Sequence, residues 1–384
     1  MTKNIFIVTG EHSGDIHASY VVKELKKLIP NINIAGVGGI EMKKCDVKLI
    51  HDHSDMAVLG LDALKKIPHH IKLGKQILNF LKNEFKPDAI LLIDYGGFNL
   101  RLAKELKKNN YKVLYYISPQ IWASREGRAK KIKAYIDKMM VILPFEENFH
   151  KKHGINAEYV GHPLKSQLKT AISKEELCNK YELDPSKPVI SMFPGSRKIE
   201  IKFLLGIFFE TAFKIKEKQD NIQFCLAQSG NITTEYLNEY IKLSDPENKL
   251  GIKIIKNANS DLLSGSDMLI TKSGTVTLEA SIYKTPMIIC YKSYRLAYYI
   301  YLLVKKINWL GLPNIILNKT IIPEFLQYEI NTDSMAEMTL TLLNDSDKRE
   351  EMLKNLDTVN ELLTEKVASQ RVAEIIKEEI TGNE

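Results

Sequence analysis

The residues best suited to chemistry lie in two turns. Phe193-Pro194-Gly195-Ser196-Arg197 follows the apolar run Pro188 to Met192 and precedes an apolar-periodic segment, Phe203 to Phe213. A buried strand, a Gly/Ser turn and a helix leave the first helical N–H groups and the positive dipole end available to a phosphate. The planar guanidinium of Arg197 fits phosphate oxygens. Ile270 to Glu279 repeats the layout, with an apolar strand, Ser273-Gly274-Thr275 and a helix. Gly274 and Thr275 offer backbone donors for the other phosphate. Glu279, one helical turn beyond Thr275, returns a carboxylate toward that helix end, where ribose hydroxyls are commonly met. An ordinary cap by Ser273 or Thr275, with Glu279 solvated, explains the second turn alone equally well. The pair favours a clamp for a nucleotide diphosphate.

The first half carries a different set. Gly10-Glu11-His12-Ser13-Gly14-Asp15 joins a strand to a helix without a Walker A or dinucleotide fingerprint. Gly10 and Gly14 permit a tight turn and close approach of a ligand. Glu11 and Asp15 suit sugar hydroxyls better than phosphates; a cap by Ser13 or Asp15 is the alternative. Asp94 ends the apolar run Ala89 to Ile93 and precedes Tyr95-Gly96-Gly97. A carboxylate at the tip of a central strand is placed for general-base work, and burial would raise its pKa; bonding to nearby turn amides competes with that reading. Trp122 is followed by Arg125, Arg128, Lys130, Lys131 and Lys133, which reads as a membrane-interface contact or as a solvated basic face. Tyr291 to Asn314 mixes Tyr298, Tyr301, Leu302 and Trp309 with basic residues, as an interfacial element or lipid-chain groove would, or as a core helix. His51 and His53 lack structural-zinc spacing, and Asp345-Ser346-Asp347 reads as a helix cap.

The elements that must position these residues form two similar series. Ile5–Val8, Ile32–Gly36, Ala89–Ile93, Val113–Ile117 and Met139–Leu143 are unalternating apolar runs separated by amphipathic segments such as Ile16 to Leu28. Val189–Met192, Gln223–Ala227, Ile252–Ile255, Met268–Thr271 and Met287–Tyr291 repeat the pattern. Such alternation predicts parallel sheets covered on both faces. The fold class is therefore α/β, with two Rossmann-like doubly wound domains facing a cleft and a C-terminal helix returning to the first domain. The expected boundaries are 1–172, a linker at 173–188, 189–346, and a helical segment 347–384 bracing the N-terminal domain.

Composition sets the outer limits. The 384 residues are 44% hydrophobic and 26% charged, with a net charge of +7, which excludes a disordered or membrane-spanning chain. Cys45, Cys178, Cys225 and Cys290 form no CxxC pair and read as packed thiols in a reducing compartment. No signal peptide precedes the first strand, and the run Leu296 to Val304 is too short to span a bilayer. Basic residues are scattered, so nucleic acid is not an expected partner.

At the level of motifs the chain resembles bacterial lipid-A-disaccharide synthases, inverting glycosyltransferases of family 19 with the GT-B fold. The resemblance spans nearly the whole length. It rests on Gly10-Glu11-His12-Ser13-Gly14-Asp15, Ile93-Asp94 with Phe98-Asn99, Ser118-Pro119 with Trp122-Ala123, and Leu143-Pro144-Phe145-Glu146. It continues through Gly161-His162-Pro163, Pro194-Gly195-Ser196-Arg197, Ser273-Gly274-Thr275 with Leu278-Glu279, and Leu312-Pro313-Asn314. The resemblance implies transfer from UDP-2,3-diacylglucosamine to 2,3-diacylglucosamine 1-phosphate (lipid X), giving a β-1,6-linked disaccharide 1-phosphate and UDP, without a required metal or cofactor. It implies that Asp94 and Arg197 are needed for activity, that Asn314 lies in the donor site, and that Ser118 lies on the acceptor side. It also implies peripheral attachment to the anionic cytoplasmic face of the inner membrane; a second copy of the chain is an open candidate partner. Gly96-Gly97 stands where many members have Pro-Asp, and Ser124 where Trp is frequent. Another UDP-GlcNAc-type GT-B enzyme (a glucosaminyltransferase or a 2-epimerase) and a non-catalytic nucleotide-sugar or lipid-binding peripheral protein are the competing readings.

Overall fold

In the computed structural model, the described residues are 2–52, 67–364 and 366–382; His53 lies outside them. The chain divides into two compact units, Met1–Ser166 with Leu363–Glu384, and Gln167–Leu362.

The first unit is built on seven parallel strands: β1 (Asn4–Val8), β2 (Asn33–Gly38), β3 (Lys48–Asp52), β4 (Ala89–Ile93), β5 (Val113–Tyr116), β6 (Lys138–Val141) and β7 (Ala157–Tyr159). Their order is β3-β2-β1-β4-β5-β6-β7, so the winding reverses at β1, which pairs with both β2 and β4. β4 is buried along its whole length, as its unbroken AILLI run requires. Apolar side chains pack on both faces of the sheet, with Phe6, Ile90 and Tyr115 in one core and Ile5, Leu91 and Tyr116 in the other.

The second unit repeats this plan with β8 (Val189–Phe193), β9 (Gln223–Gln228), β10 (Lys253–Lys256), β11 (Met268–Lys272), β12 (Met287–Tyr291) and β13 (Glu324–Leu326), ordered β10-β9-β8-β11-β12-β13. Its winding reverses at β8, which pairs with β9 and β11. In such sheets polar ligands bind beyond the carboxyl ends of the strands flanking the reversal. Those strands are β1 and β4 in one unit, β8 and β11 in the other.

Two boundaries differ from expectation. The first unit ends at 166, and only the last part of the helical segment after 346 joins it. Ser346–Leu362 stays with the second unit, where Asn360 Nδ2 donates to the Ser281 carbonyl at 3.0 Å. Only Ala368–Thr381 returns, laying Val372, Ile375 and Ile376 in the core beside Val21, Val22 and Leu25 of the His12–Leu28 helix. Arg371 fixes it to β7 by donating to Glu158 at 2.8 Å, and bonds Glu378 of its own helix at 2.7 Å.

Candidate active site

In the second unit the two turns line one cavity of about 430 Å³, reached by Gly195, Ser196, Arg197, Lys272, Gly274 and Glu279. Gly195 has φ +124°, and a Cβ there would meet a Glu200 carboxylate oxygen at 2.3 Å. Only glycine fits that left-handed turn. The backbone N–H groups of Ser196 and Arg197, expected to meet a phosphate directly, donate to Glu200 Oε2 at 2.9 and 3.2 Å. Glu200 also pairs with Lys272 at 2.9 Å. The turn is thus closed by its own carboxylate, which occupies the place of an anion, with an exposed Arg197 beside it. Lys272 and Glu200 were not singled out from the sequence. The Arg-x-x-Glu spacing of a capping box was the available signal for Glu200. Ser229 and Asn259 also reach the cavity; Ser229 directly follows β9, a strand end of the kind that carries ligand contacts.

Glu279 lines the cavity half-buried, and burial raises its pKa. Thr275, at the start of the Thr275–Ile282 helix, is exposed. The Ser273 hydroxyl is engaged behind the turn, donating to the Leu310 carbonyl at 2.7 Å.

Asn314 corrects an expectation. It is fully buried in the Leu312–Leu317 helix. Its Nδ2 donates to the Ile322 carbonyl and to Glu324 Oε1, each at 2.8 Å. Its Oδ1 accepts from the amides of Ile321 and Ile322, each at 2.9 Å. Two donors and two lone pairs are all a carboxamide has, so none remains for a donor sugar. Glu324 in turn accepts from the amides of Leu310 and Gly311 at 2.8 and 2.9 Å. Asn314 therefore holds the loop that holds Ser273.

In the first unit, Asp94 and Tyr95 both adopt left-handed backbone, with φ +47° and +48°. Such residues each cost about 1–3 kcal/mol and persist only where surroundings fix them. Here the Asp94 amide donates to the Tyr116 carbonyl at 2.9 Å, and the Asp94 carbonyl accepts from Asn99 Nδ2 at 2.8 Å and from the Tyr115 hydroxyl. Burial raises the pKa of the Asp94 carboxyl; the Tyr95 amide partly offsets this, and the charge of Glu11 adds to it. Tyr95 bonds His70 Nε2 at 3.0 Å. A Cβ on Gly10 would meet the Tyr95 ring at 2.2 Å. The close approach that Gly10 permits is therefore of this ring rather than of a ligand.

Asp15 is a second correction. Its carboxylate is buried and accepts from the amides of Gly39 and Glu41 at 2.8 Å and of Met42 at 3.1 Å, capping the Ile40–Lys43 helix instead of facing sugar hydroxyls. Gly14 is buried, Ser13 is exposed, and Glu11 is the half-buried N-cap of the His12–Leu28 helix. Ser118 is buried and bonded to His150 Nε2 at 2.8 Å, so its hydroxyl also has a protein partner.

Trp122 is a third correction. It is 6% exposed, and its indole N–H donates to Glu146 at 2.9 Å, which removes it from any membrane contact. Arg125 remains exposed and Arg128 half-buried. In contrast, the Arg295–Val304 helix buries none of its residues, which overturns the core-helix alternative. Leu296 and Leu303 are 73% and 86% exposed, Leu302 is exposed, and Tyr298 and Tyr301 are half-buried. Trp309 donates to Thr320 Oγ1 at 2.8 Å and is half-buried. Among the described residues, no helix is long and apolar enough to cross a membrane, and no group of three His, Cys, Asp or Glu side chains could hold a metal ion.

Two Rossmann-like units, each with its glycine turns at the point where its winding reverses, are the plan of the GT-B fold. Solved structures agree on the fold. A putative UDP-N-acetylglucosamine 2-epimerase from Listeria monocytogenes has TM-score 0.69 and 13% identity, over 100% of this chain and 98% of that one. The UDP-GlcNAc 2-epimerase from Neisseria meningitidis has TM-score 0.67 and 12% identity, over 98% and 100%. The sequence comparisons are more specific. The family model for lipid-A-disaccharide synthetase matches residues 5–379. The lipid-A-disaccharide synthases of Coxiella burnetii (strain CbuG_Q212) and Syntrophus aciditrophicus are 34% and 35% identical over 374 and 379 residues. The match covers 97% of this chain in each case, and 98% and 96% of the relatives. The chain belongs to the lipid-A-disaccharide synthase family. It is a UDP-sugar-dependent glycosyltransferase that joins lipid A precursors, UDP-2,3-diacylglucosamine and 2,3-diacylglucosamine 1-phosphate. The epimerase alternative rests on shared fold alone and is not favoured.

Proposed function

We propose that Asp94 is the general base of this transfer and that the second unit's paired turns hold the UDP leaving group. Asp94 removes the proton of the acceptor 6-hydroxyl as that oxygen attacks the donor anomeric carbon from the face opposite UDP. The C–O bond to UDP breaks, and the new bond is β. The observation carrying this reading is the Asp94 turn itself: a carboxyl at the winding reversal, raised in pKa by burial and fixed by strained backbone that Asn99 and Tyr115 support. Strain maintained at such a cost points to a functional carboxyl rather than a turn cap.

On the donor side, Arg197, Lys272 and two helix N-termini meet the charge that develops on UDP. Glu200 gives up the Ser196 and Arg197 amides to a phosphate, and Glu279 accepts from the ribose. Fixed cations and dipoles in this number supply the stabilisation for which a divalent metal would otherwise be used, so the reaction proceeds without one. The Arg295–Val304 helix, with exposed Leu296, Leu302 and Leu303 and flanking Lys292, Lys305 and Lys306, supports peripheral attachment to an anionic cytoplasmic leaflet.

The test is incubation of the purified protein in detergent micelles with UDP-2,3-diacylglucosamine and lipid X, with and without EDTA, read by mass spectrometry. Disaccharide 1-phosphate and stoichiometric UDP are expected in both arms. Loss of product in EDTA, restored by Mg²⁺, would overturn the metal-free reading; UDP release without disaccharide would overturn the acceptor.

A further inference from the structure

A cavity of about 350 Å³ in the first unit opens beside the start of the Gly96–Lys108 helix. Arg101 and Lys104 line it from that helix, and Arg128 and Lys131 line it from the following 126–135 segment. Each pair is spaced i, i+3, so two cations from each element face the same space. Their neighbours are neutralised: Lys107 pairs with Asp137 at 2.7 Å and Lys108 with Glu105 at 2.8 Å. Glu126 bonds His153 at 3.0 Å. Among the described residues, no carboxylate pairs with any of the four cations that line the cavity. Burial, together with the charges of Arg125 and Arg101, holds the Arg128 guanidinium below its ordinary pKa. An uncompensated cluster of this kind is unfavourable by itself and becomes favourable when an anion enters it.

Further features narrow the anion. Gly96 and Gly97 line the cavity with the first helical turn, whose N-cap Tyr95 supplies no side-chain cap. A Cβ on Gly97 would meet nothing within 4 Å, so backbone can be approached there. Gly96 is two residues from Asp94. The acceptor sugar carries its phosphate on C1 and its attacking hydroxyl on C6, attached to the two ring carbons that flank the ring oxygen, so the two groups lie close together. A phosphate seat next to the base turn has the short spacing that this substrate needs, and the cavity has room for a phosphate and part of a ring. The donor's two phosphates already have their turns in the other unit.

We infer that Arg101, Lys104, Arg128 and Lys131 form the binding site for the phosphate monoester of the acceptor lipid. This rests on the acceptor-side reading of the first unit given above. The site is specificity-determining: it distinguishes a 1-phosphorylated diacylglucosamine from its dephosphorylated counterpart, and it orients the ring so that its 6-hydroxyl meets Asp94.

The experiment measures kcat and KM in micelles with lipid X and with 2,3-diacylglucosamine lacking the phosphate. It compares the unmodified protein, Arg128→Ala/Lys131→Ala and Arg101→Ala/Lys104→Ala, with Arg128→Lys as the conservative control. The unmodified protein should prefer the phosphorylated acceptor. Each double variant should raise its acceptor KM about 10- to 100-fold, the effect of losing charge-assisted hydrogen bonds. The preference should shrink toward unity, the KM for UDP-2,3-diacylglucosamine should stay in place, and Arg128→Lys should recover most of the loss. Double variants that fold normally yet keep the full preference for lipid X would overturn the inference. So would a defect seen only in binding to anionic phosphatidylglycerol vesicles with micellar kinetics intact, since that assigns the cluster to membrane headgroups. Asp94→Asn separates the two claims. It should lower kcat for both acceptors alike, and an active Asp94→Asn would remove the base while leaving the phosphate preference to be read as before.

Discussion

Replacing Asn314 with Ala tests whether this buried carboxamide touches the donor or only holds the loop behind it. The substitution leaves the amides of Ile321 and Ile322 without their acceptor, and it removes the donor to Ile322 O and Glu324. Each buried amide left unmatched costs about 1–3 kcal/mol. The two together, with some relaxation, give a loss of about 4 kcal/mol. In a unit the size of 167–362 that corresponds to a fall in Tm on the order of 10 °C. Glu324, released from Asn314, holds the Leu310 and Gly311 amides less firmly, so the Ser273 turn loosens and UDP binding weakens as a consequence. Differential scanning calorimetry and UDP titration calorimetry on the same preparation read both effects. Asn314→Asp should be comparably damaging, because it replaces the donor to Glu324 with a second carboxylate. A variant with unchanged Tm but greatly weakened UDP binding would refute the reasoning, since only a direct contact gives that pair of results.

Other expectations follow from the same geometry. Glu146 is buried and its pKa is pushed up to about 7 by that burial, although Trp122 and the Leu143 amide favour its ionised form. Its protonated form is therefore favoured on folding, and stability should fall as pH rises from about 4.5 to 7, by up to about 3 kcal/mol. Glu146→Gln should flatten that part of the pH–Tm curve; an unchanged slope would contradict it. His17, His150 and His162 contribute the opposite sign, because burial lowers their pKa values to about 4, 4 and 3 and stability is lost as pH falls below about 6.5. The comparison must for that reason be between variant and parent. Gly10→Ala should displace the Tyr95 ring and with it the Asp94 turn, lowering kcat at least tenfold with UDP binding retained; normal turnover would refute the packing argument. Leu296→Ser/Leu303→Ser should cut sedimentation with anionic vesicles several-fold while micellar kcat is kept, whereas Trp122→Phe should leave vesicle binding alone.

The parallel sheets were legible because β1, β4, β8, β9, β11 and β12 are apolar runs that neither face of a covered sheet interrupts. β3, β7 and β13 were not. They are edge strands of mixed character, KLIHD, AEY and EFL, paired on one side only, and their half-buried side chains leave no period to read. The phosphate-side turns could be located from Gly/Ser placement, but Glu200 closing the first turn required knowing that its side chain bends back. Asp94 was found by position alone. Its left-handed backbone was not legible, because it is held by bonds with Tyr116, Asn99 and Tyr115 that only the folded sheet brings to it. Trp122 was misread because its partner, Glu146, comes from elsewhere in the chain, and a polar aromatic looks available until its partner is known. Asn314 was placed in the donor site by family resemblance, which carries a position but not the 321–324 partners that saturate its side chain here.

The central claim is that Asp94 takes the proton from the acceptor hydroxyl. The most direct measurement compares disaccharide formation by the parent and Asp94→Asn across pH, at saturating UDP-2,3-diacylglucosamine, with UDP binding and Tm recorded for both. The account predicts that Asp94→Asn keeps its fold and its UDP affinity and loses about 10²–10⁴ in kcat. The parent's acidic limb should lie above the ordinary aspartate range, as the raised pKa requires, and should vanish in the variant. Near-normal turnover by a folded Asp94→Asn, with the acidic limb still in place, would contradict it.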